Sequence, residues 1–210
     1  MNYSELLSRV QTYSGNTALT SKIDMFLDLA EAKMYRDIDF KHSRNVKTSS
    51  FISGDPFITT PAGCWIIRYF QVISGTTRSF LLLKDLSFIN EYWPDRTTTG
   101  VPKYYAFLSD TQVMVGPTPT SSLTMECHYT FRPEVMSSTN TSTWIGTNAP
   151  DLLFAAVMFE VTSYHKGEMS QANNTPASPG YWEAEYKKAI ERIKIELQEA
   201  VMKDFYSGSY

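Results

Sequence analysis

The chain has 210 residues, 42% hydrophobic, 14% aromatic and 20% charged, with a formal net charge of −3. That length suits one domain with an insertion or two small ones, and the aromatic content excludes wholesale disorder. The charge balance lacks the basic excess of a dedicated nucleic-acid binder.

The opening Met1-Asn2-Tyr3-Ser4-Glu5 has no basic region followed by an apolar run, so a secretory signal is not expected. No stretch approaches the roughly 20 apolar residues of a spanning helix, so no membrane partner is expected. The two cysteines, Cys64 and Cys127, are too few for a disulfide framework. Both fall in strand-like segments and read as buried thiols, in keeping with a reducing cytosol.

A first helix is predicted over residues 3–13, where Asn2 caps, Glu5 reaches back, and Leu6, Leu7 and Val10 make an apolar stripe. Gly15-Asn16 breaks it. A second helix follows with Ser21 as cap and Asp24 as its partner. Its stripe is Ile23, Phe26, Leu27, Ala30, Met34 and Ile38. From about Val46 the texture turns to β-branched, aromatic and turn residues. Ser53-Gly54-Asp55-Pro56 and Thr60-Pro61-Ala62-Gly63 punctuate short strands, and Cys64 to Ile73 is an apolar run of strand length. Gly75-Thr76-Thr77 reads as a turn, and Asp85 to Trp93 as a short helix stopped by Pro94. Strands at 103–109 and 112–116 form a hairpin around Ser109-Asp110-Thr111. From Leu123 to Phe131 the pattern alternates, which sends Cys127 inward and His128 outward.

Residues 136–148, rich in Ser, Thr and Asn, read as a linker or exposed loop. Next comes a helix apolar nearly all round (Leu152, Leu153, Phe154, Val157, Met158, Phe159, Val161), with Asn148 as cap and Pro150 in its first turn. Gly167 ends it, and 173–180 is a loop. A last helix runs from about Tyr181 to Met202 on the stripe Trp182, Tyr186, Ala189, Ile190, Ile193, Leu197 and Val201. The order predicts an α+β protein: a helical bundle built from the N- and C-terminal helices (1–44 and 145–210). A β-rich insertion over 45–144, with a short helix near 85–93, loops out of it. No internal repeat is present.

The residues carry no recognisable catalytic, metal or cofactor motif. His42, His128 and His165 lie far apart and lack zinc spacing, and no hydrolase elbow or phosphate loop occurs. Asp151 and Glu160 sit nine residues apart on one helix and point to opposite faces, and Glu168 is too far along to pair with Glu160. The run Lys41-His42-Ser43-Arg44-Asn45-Val46-Lys47 is a cluster of positive charge. Lys41, Arg44 and Lys47 are candidates for contacting DNA phosphate or an acidic partner, against the plainer reading of a solvated loop. Trp65 and Trp182 are expected in the core. Phe205, Tyr206 and Tyr210 follow the last helix as a short aromatic tail, a preferred kind of interface anchor.

A series of landmarks occurs in order: Gly100-Val101-Pro102-Lys103-Tyr104-Tyr105, Val113-Met114-Val115-Gly116-Pro117-Thr118-Pro119, and Tyr129-Thr130-Phe131-Arg132-Pro133. Trp144-Ile145, Ala149-Pro150-Asp151-Leu152-Leu153, and Tyr181-Trp182-Glu183-Ala184-Glu185-Tyr186-Lys187-Lys188-Ala189-Ile190 complete it. The series resembles the head-to-tail adaptor (connector) proteins of short-tailed bacteriophages. The likeness covers the last half of the chain well and the N-terminal helices more loosely. Where that family often shows an Asp-Gly-like hairpin turn, this chain has Ser109-Asp110-Thr111, which implies a longer or differently shaped turn.

The resemblance implies a structural virion protein in the neck, with no catalytic residues and no cofactor. Twelve copies would form a ring beneath the portal, join head to tail and continue the DNA channel, with DNA passing the lumen unbound. Its partners would be the portal protein, the tail nozzle protein and itself, with tail fibres a further candidate. By position, Phe205, Tyr206 and Tyr210 would grip the portal. The alternative is a tail-associated module that binds carbohydrate or a receptor through the β-rich insertion.

Overall fold

Both ends of the chain have a helical apolar period and the middle alternates, and the computed structural model follows that division. It describes residues 1–15, 17–164 and 178–207. Helix α1 spans Tyr3–Ser14, and α2 spans Ile23–Asp37 after a 3-10 turn at Thr17–Lys22. The strands are β1 (Arg44–Ser50), β2 (Phe57–Thr59), β3 (Cys64–Ser74), β4 (Thr77–Phe80) and β5 (Leu82–Leu83). Helix α3 (Leu86–Tyr92) precedes β6 (Thr99–Gly100), β7 (Tyr104–Ser109), β8 (Gln112–Gly116), β9 (Thr118–Pro119) and β10 (Thr124–Phe131). Helices α4 (Trp144–Asn148), α5 (Pro150–Tyr164) and α6 (Pro179–Ser207) close the order. The mixture is α+β.

The chain divides into a helical unit, Met1–Phe40 with Pro133–Tyr210, and a β-rich unit, Lys41–Arg132. The cuts fall at 40/41 and 132/133, not at the expected 44/45 and 144/145. Arg44 already belongs to β1, and residues 133–143 pack with the helices.

In the helical unit α1 begins as its residues dictate. Asn2 Oδ1 accepts the Glu5 N–H at 2.9 Å and the Asn2 N–H donates to Glu5 Oε2 at 3.1 Å. It ends on Gly15, whose φ of 65° suits glycine. Helix α2 departs from expectation at its start: Ser21 lies in the 3-10 turn, and Lys22 stands at the cap position without a side-chain capping bond. Its predicted stripe is buried throughout.

Helix α5 is the centre of the unit. Leu152, Leu153, Ala155, Ala156, Val157, Met158 and Val161 are buried, and α1, α2, α4 and α6 all contact it. Asn148 does not cap it. Its Nδ2 donates to the Trp144 carbonyl at 2.9 Å within α4, and the Ala149 carbonyl accepts the first α5 bond, from Leu153 N–H at 3.1 Å. Gly167 and most of the 173–180 loop lie outside the described residues.

Residues 136–148, expected as a linker or exposed loop, are exposed over much of their length but are held in place. Their polar groups satisfy one another. The Asn140 N–H donates to Ser137 Oγ at 3.0 Å, Asn140 Nδ2 donates to the Glu134 and Val135 carbonyls, and Thr143 Oγ1 caps α4. Met136 and Ile145 remain as apolar anchors, both fully buried. The strap is tied twice to the helices: the Tyr3 N–H donates to the Thr141 carbonyl at 2.9 Å, and the Met136 N–H donates to Glu31 Oε1 at 3.1 Å. Burial pushes the Glu31 carboxyl up to about 7, Asp28 adds to the rise, and the Met136 bond opposes it. Glu31 Oε2 has no hydrogen-bond partner among the described residues.

In the β-rich unit one sheet has the order β1-β10-β3-β4, all antiparallel, and a second has the order β2-β8-β7-β5, with β5 parallel to β7. Strands β6 and β9 make a small parallel pair. The two larger sheets share a core that includes Phe70, Val72, Met125 and Cys127 from one and Tyr105, Val113 and Val115 from the other. Helix α3 covers the far side of the second sheet through Ile89 against Ala106 and Met114. That sheet is therefore covered on both faces, which explains why Val113, Met114 and Val115 are all buried. The β7–β8 hairpin turns through Asp110-Thr111, and its irregularity is a register shift between Phe107 and Ser109. The departure from a regular hairpin therefore lies in the strand, not in a longer turn.

Leu153→Ala is expected to lower unfolding free energy by about 2–5 kcal/mol, because Leu153 is fully buried in the helical core and its truncation leaves a cavity. Urea denaturation followed by circular dichroism checks this. For Glu31 the raised folded-state value means that stability is fully present below about pH 4.5. It is lost as the pH rises toward about 7, by as much as ~3 kcal/mol. Glu31→Gln is expected to flatten that decline in melting curves taken between pH 4.5 and 8.5, and an unchanged slope would clear Glu31 of the effect.

Candidate functional site

The groups with chemical potential are spread over both units, though Cys64 lies near enough to add to the rise of the Cys127 thiol. His42 is half-buried and burial lowers its pKa. His128 does not stand open to solvent as expected. It stacks on Tyr69 at 4.2 Å, with Nε2 3.7 Å from Glu126 Oε2, which in turn pairs with Arg78 at 2.6 Å. His165 and Glu168 lie outside the described residues. Asp151 is exposed at the start of α5, and the half-buried Glu160 has its pKa raised by desolvation against the lowering pull of Lys33. Burial also pushes the Cys127 thiol up to about 12 and raises Cys64. Among the described residues no group of His, Cys, Asp and Glu has the grouping a metal ion needs. No helix among them is long and apolar enough to cross a membrane.

The basic run does not form one patch. Lys41 sits in a 3-10 turn, while Arg44 and Lys47 lie in β1, three residues apart. The two-residue period of a strand sends those two side chains to opposite faces. All three are exposed. Of the tryptophans, Trp182 is buried as expected, but Trp65 is 37% exposed, with the Arg132 guanidinium 4.4 Å above its ring. Strand β3 begins at Cys64, so Trp65 falls on its uncovered side. The backbone of Phe205 and Tyr206 belongs to α6, which continues to Ser207 beyond the expected end near Met202. Tyr210 lies outside the described residues.

A concavity lies on the helical unit where the sequence marked no site. Helix α1, the start of α5 and the first half of α6 enclose an open groove of about 610 Å³. Its floor is aromatic. Tyr13, Phe154 and Trp182 meet edge to face with centroids 5.3, 5.9 and 5.4 Å apart, and Tyr181 meets Trp182 at 5.2 Å. Tyr13 is 57% exposed, an aromatic ring held open to solvent on an ordered helix. Arg9 and Arg192 stand at the rim and form no ion pair among the described residues. Glu185 is paired with Lys188 at 2.7 Å, and Asp151 lies in the first turn of α5, where the helix dipole favours it. The sequence signals were Arg9 and Tyr13, one turn apart on the polar side of α1, and the aromatic pair Tyr181-Trp182. Glu31 was missed too, although it occupies the stripe position one turn after Leu27.

A helical unit, an inserted β-rich unit and an open aromatic groove with charged rims are features of a protein that works by contact. The model of the SU10 adaptor protein family matches residues 1–206, and the chain belongs to that family. It is thereby a phage structural adaptor, a virion component that interacts with other head and tail proteins, in a family of structural proteins rather than enzymes. No curated protein matches the chain.

Proposed function

We propose that this adaptor forms a ring beneath the portal of a short-tailed phage, with twelve copies joining head to tail and continuing the DNA channel. The observation that carries the reading is the family match, which spans both units rather than one. Two features of the chain support it. Its formal charge is −3, and the exposed Arg44 and Lys47 point to opposite sides of β1, so β1 offers DNA no one-sided row of cations. A closed ring needs two different patches per copy that meet heterologously, and the molecule carries distinct surfaces on its two units.

The free protein is expected to sediment as a monomer or weak oligomer, with the ring forming only on a portal template. Mixing the purified chain with the portal protein of the same genome at micromolar concentration and low salt, then imaging by negative stain, is the direct test. An added ring at the narrow end of the portal, with countable symmetry, is the expected result. Bare portals beside free monomer would sink the reading and return the β-rich unit to a carbohydrate or receptor role, to be examined on a glycan array.

A further inference from the structure

We infer that neighbouring copies join through two open edges of one sheet, β4 of one copy against β1 of the next, so that the β1-β10-β3-β4 sheet runs on from copy to copy. The inference deepens the ring reading, on which its closed form rests; the edge contact itself is argued from the β-rich unit.

Strand β1 has β10 on one side and, among the described residues, no strand on the other; β4 likewise has only β3 beside it. In an antiparallel pair alternate residues turn their N–H and C=O groups away from the partner strand. The Phe51 N–H donates to the carbonyl of Leu123, its opposite number beside β10, at 2.9 Å, so Val46, Thr48 and Ser50 direct their backbone groups outward. The Leu81 N–H donates to the carbonyl of Phe70 opposite it at 3.0 Å, so Arg78 and Phe80 do the same on β4. Edges of this kind recruit a further strand. Within the single copy Asn45 Oδ1 accepts the Val46 N–H at 2.8 Å, a local bond that a docked strand replaces with a backbone one.

Direction, side chains and charge single out β4 as the partner of β1. The strands alternate across the sheet, so β1 and β4 run opposite ways, and a copy turned about a ring axis brings its β1 antiparallel to the neighbouring β4. Val46 lies in register with His128 and Phe80 with Gln71, which puts both on the face turned away from the core residues Cys127 and Val72. They are 47% and 59% exposed, apolar side chains at opposite edges of one face, and edge pairing sets them side by side as a cross-strand contact. Strand β1 carries Arg44 and Lys47 and no acid, so two β1 strands repel, whereas Arg78 on β4 is already bound to Glu126 at 2.6 Å. The second sheet is edged by β2 and β5, of three and two residues, which offer less backbone. Two different edges meeting head to tail make a heterologous contact, the kind that closes into rings. So short a pairing is marginal by itself, in keeping with a ring that forms on a template.

The test uses the full chain, alone and mixed with the portal protein of the same genome. Val46→Cys and Phe80→Cys are made singly and together and treated with a short bis-maleimide, with the wild-type chain and its Cys64 and Cys127 as the blank. On the portal, neither single variant is expected to cross-link to itself. Their mixture should give a dimer, and the double variant a ladder of higher species. Thr48→Pro removes an N–H that faces away from β10, where a sheet edge tolerates proline. It is expected to leave the circular dichroism spectrum unchanged and to weaken ring formation at least about tenfold. Should that variant misfold, the cross-links decide alone. Rings in which Val46→Cys cross-links to itself would report β1 against β1 and overturn the inference. Rings without a cross-link between the two variants, or undiminished rings from a folded Thr48→Pro chain, overturn it as well, and each of these leaves the ring reading standing. A cross-linked mixture beside bare portals does the reverse. Neither cross-link nor ring sinks both.

Discussion

The helical unit depends on burying most of α5. A helix with Leu, Val, Met and Ala around its whole circumference cannot face water, so other elements must surround it. Helices α1 and α2 come from one end of the chain and α6 from the other, and α4 covers its start. This single requirement brings the two ends of the sequence into one unit. It also leaves Lys41–Arg132 free to fold as a separate body between two crossings of the chain. A long insertion is tolerated there because loop-closure cost grows only slowly with length.

A second constraint follows from the crossing at 132/133. Once the chain returns to the helices it must find partners for a polar stretch with few apolar side chains. The strap solves this with local side-chain bonds, two apolar anchors and one buried acid. Glu31 is costly in that position, since a carboxyl with one unpartnered oxygen is held in a fully buried site. What it provides is an acceptor for the Met136 N–H, a backbone group that would otherwise be buried unpaired. The strap is consequently part of the folded helical unit, and ordering it need not wait for a partner.

An adaptor works through surfaces, and the surfaces here differ between the units. The β-rich unit presents strands with a stacked Tyr69–His128 pair, an Arg78–Glu126 ion pair across neighbouring strands, and the exposed Phe80 ring against Tyr69, a face of mixed aromatic and charged character. The helical unit presents an aromatic groove lined by Arg9 and Arg192 together with Asp151 and Glu185. Along that groove Tyr13, Phe154 and Trp182 meet edge to face.

Local patterning was enough to determine much of this protein. The Asn2/Glu5 capping box, the α2 stripe, the all-round apolar α5, the alternation of β10 and the Asp85-capped α3 depend on neighbours within a turn or two, so they are legible without a structure. The ordered landmarks from Gly100 to Ile190 were likewise sufficient to suggest a phage adaptor. Other features needed partners distant in sequence. Trp65 is exposed because its side of β3 is uncovered, and Met136 is buried because Glu31, 105 residues earlier, receives its N–H. Arg44 and Lys47 look clustered in the chain but diverge on an edge strand. The groove joins Arg9 to Arg192 across nearly the whole sequence. Periodicity reveals which face of an element is apolar; only packing decides what that face meets and which aromatic rings stay in the open.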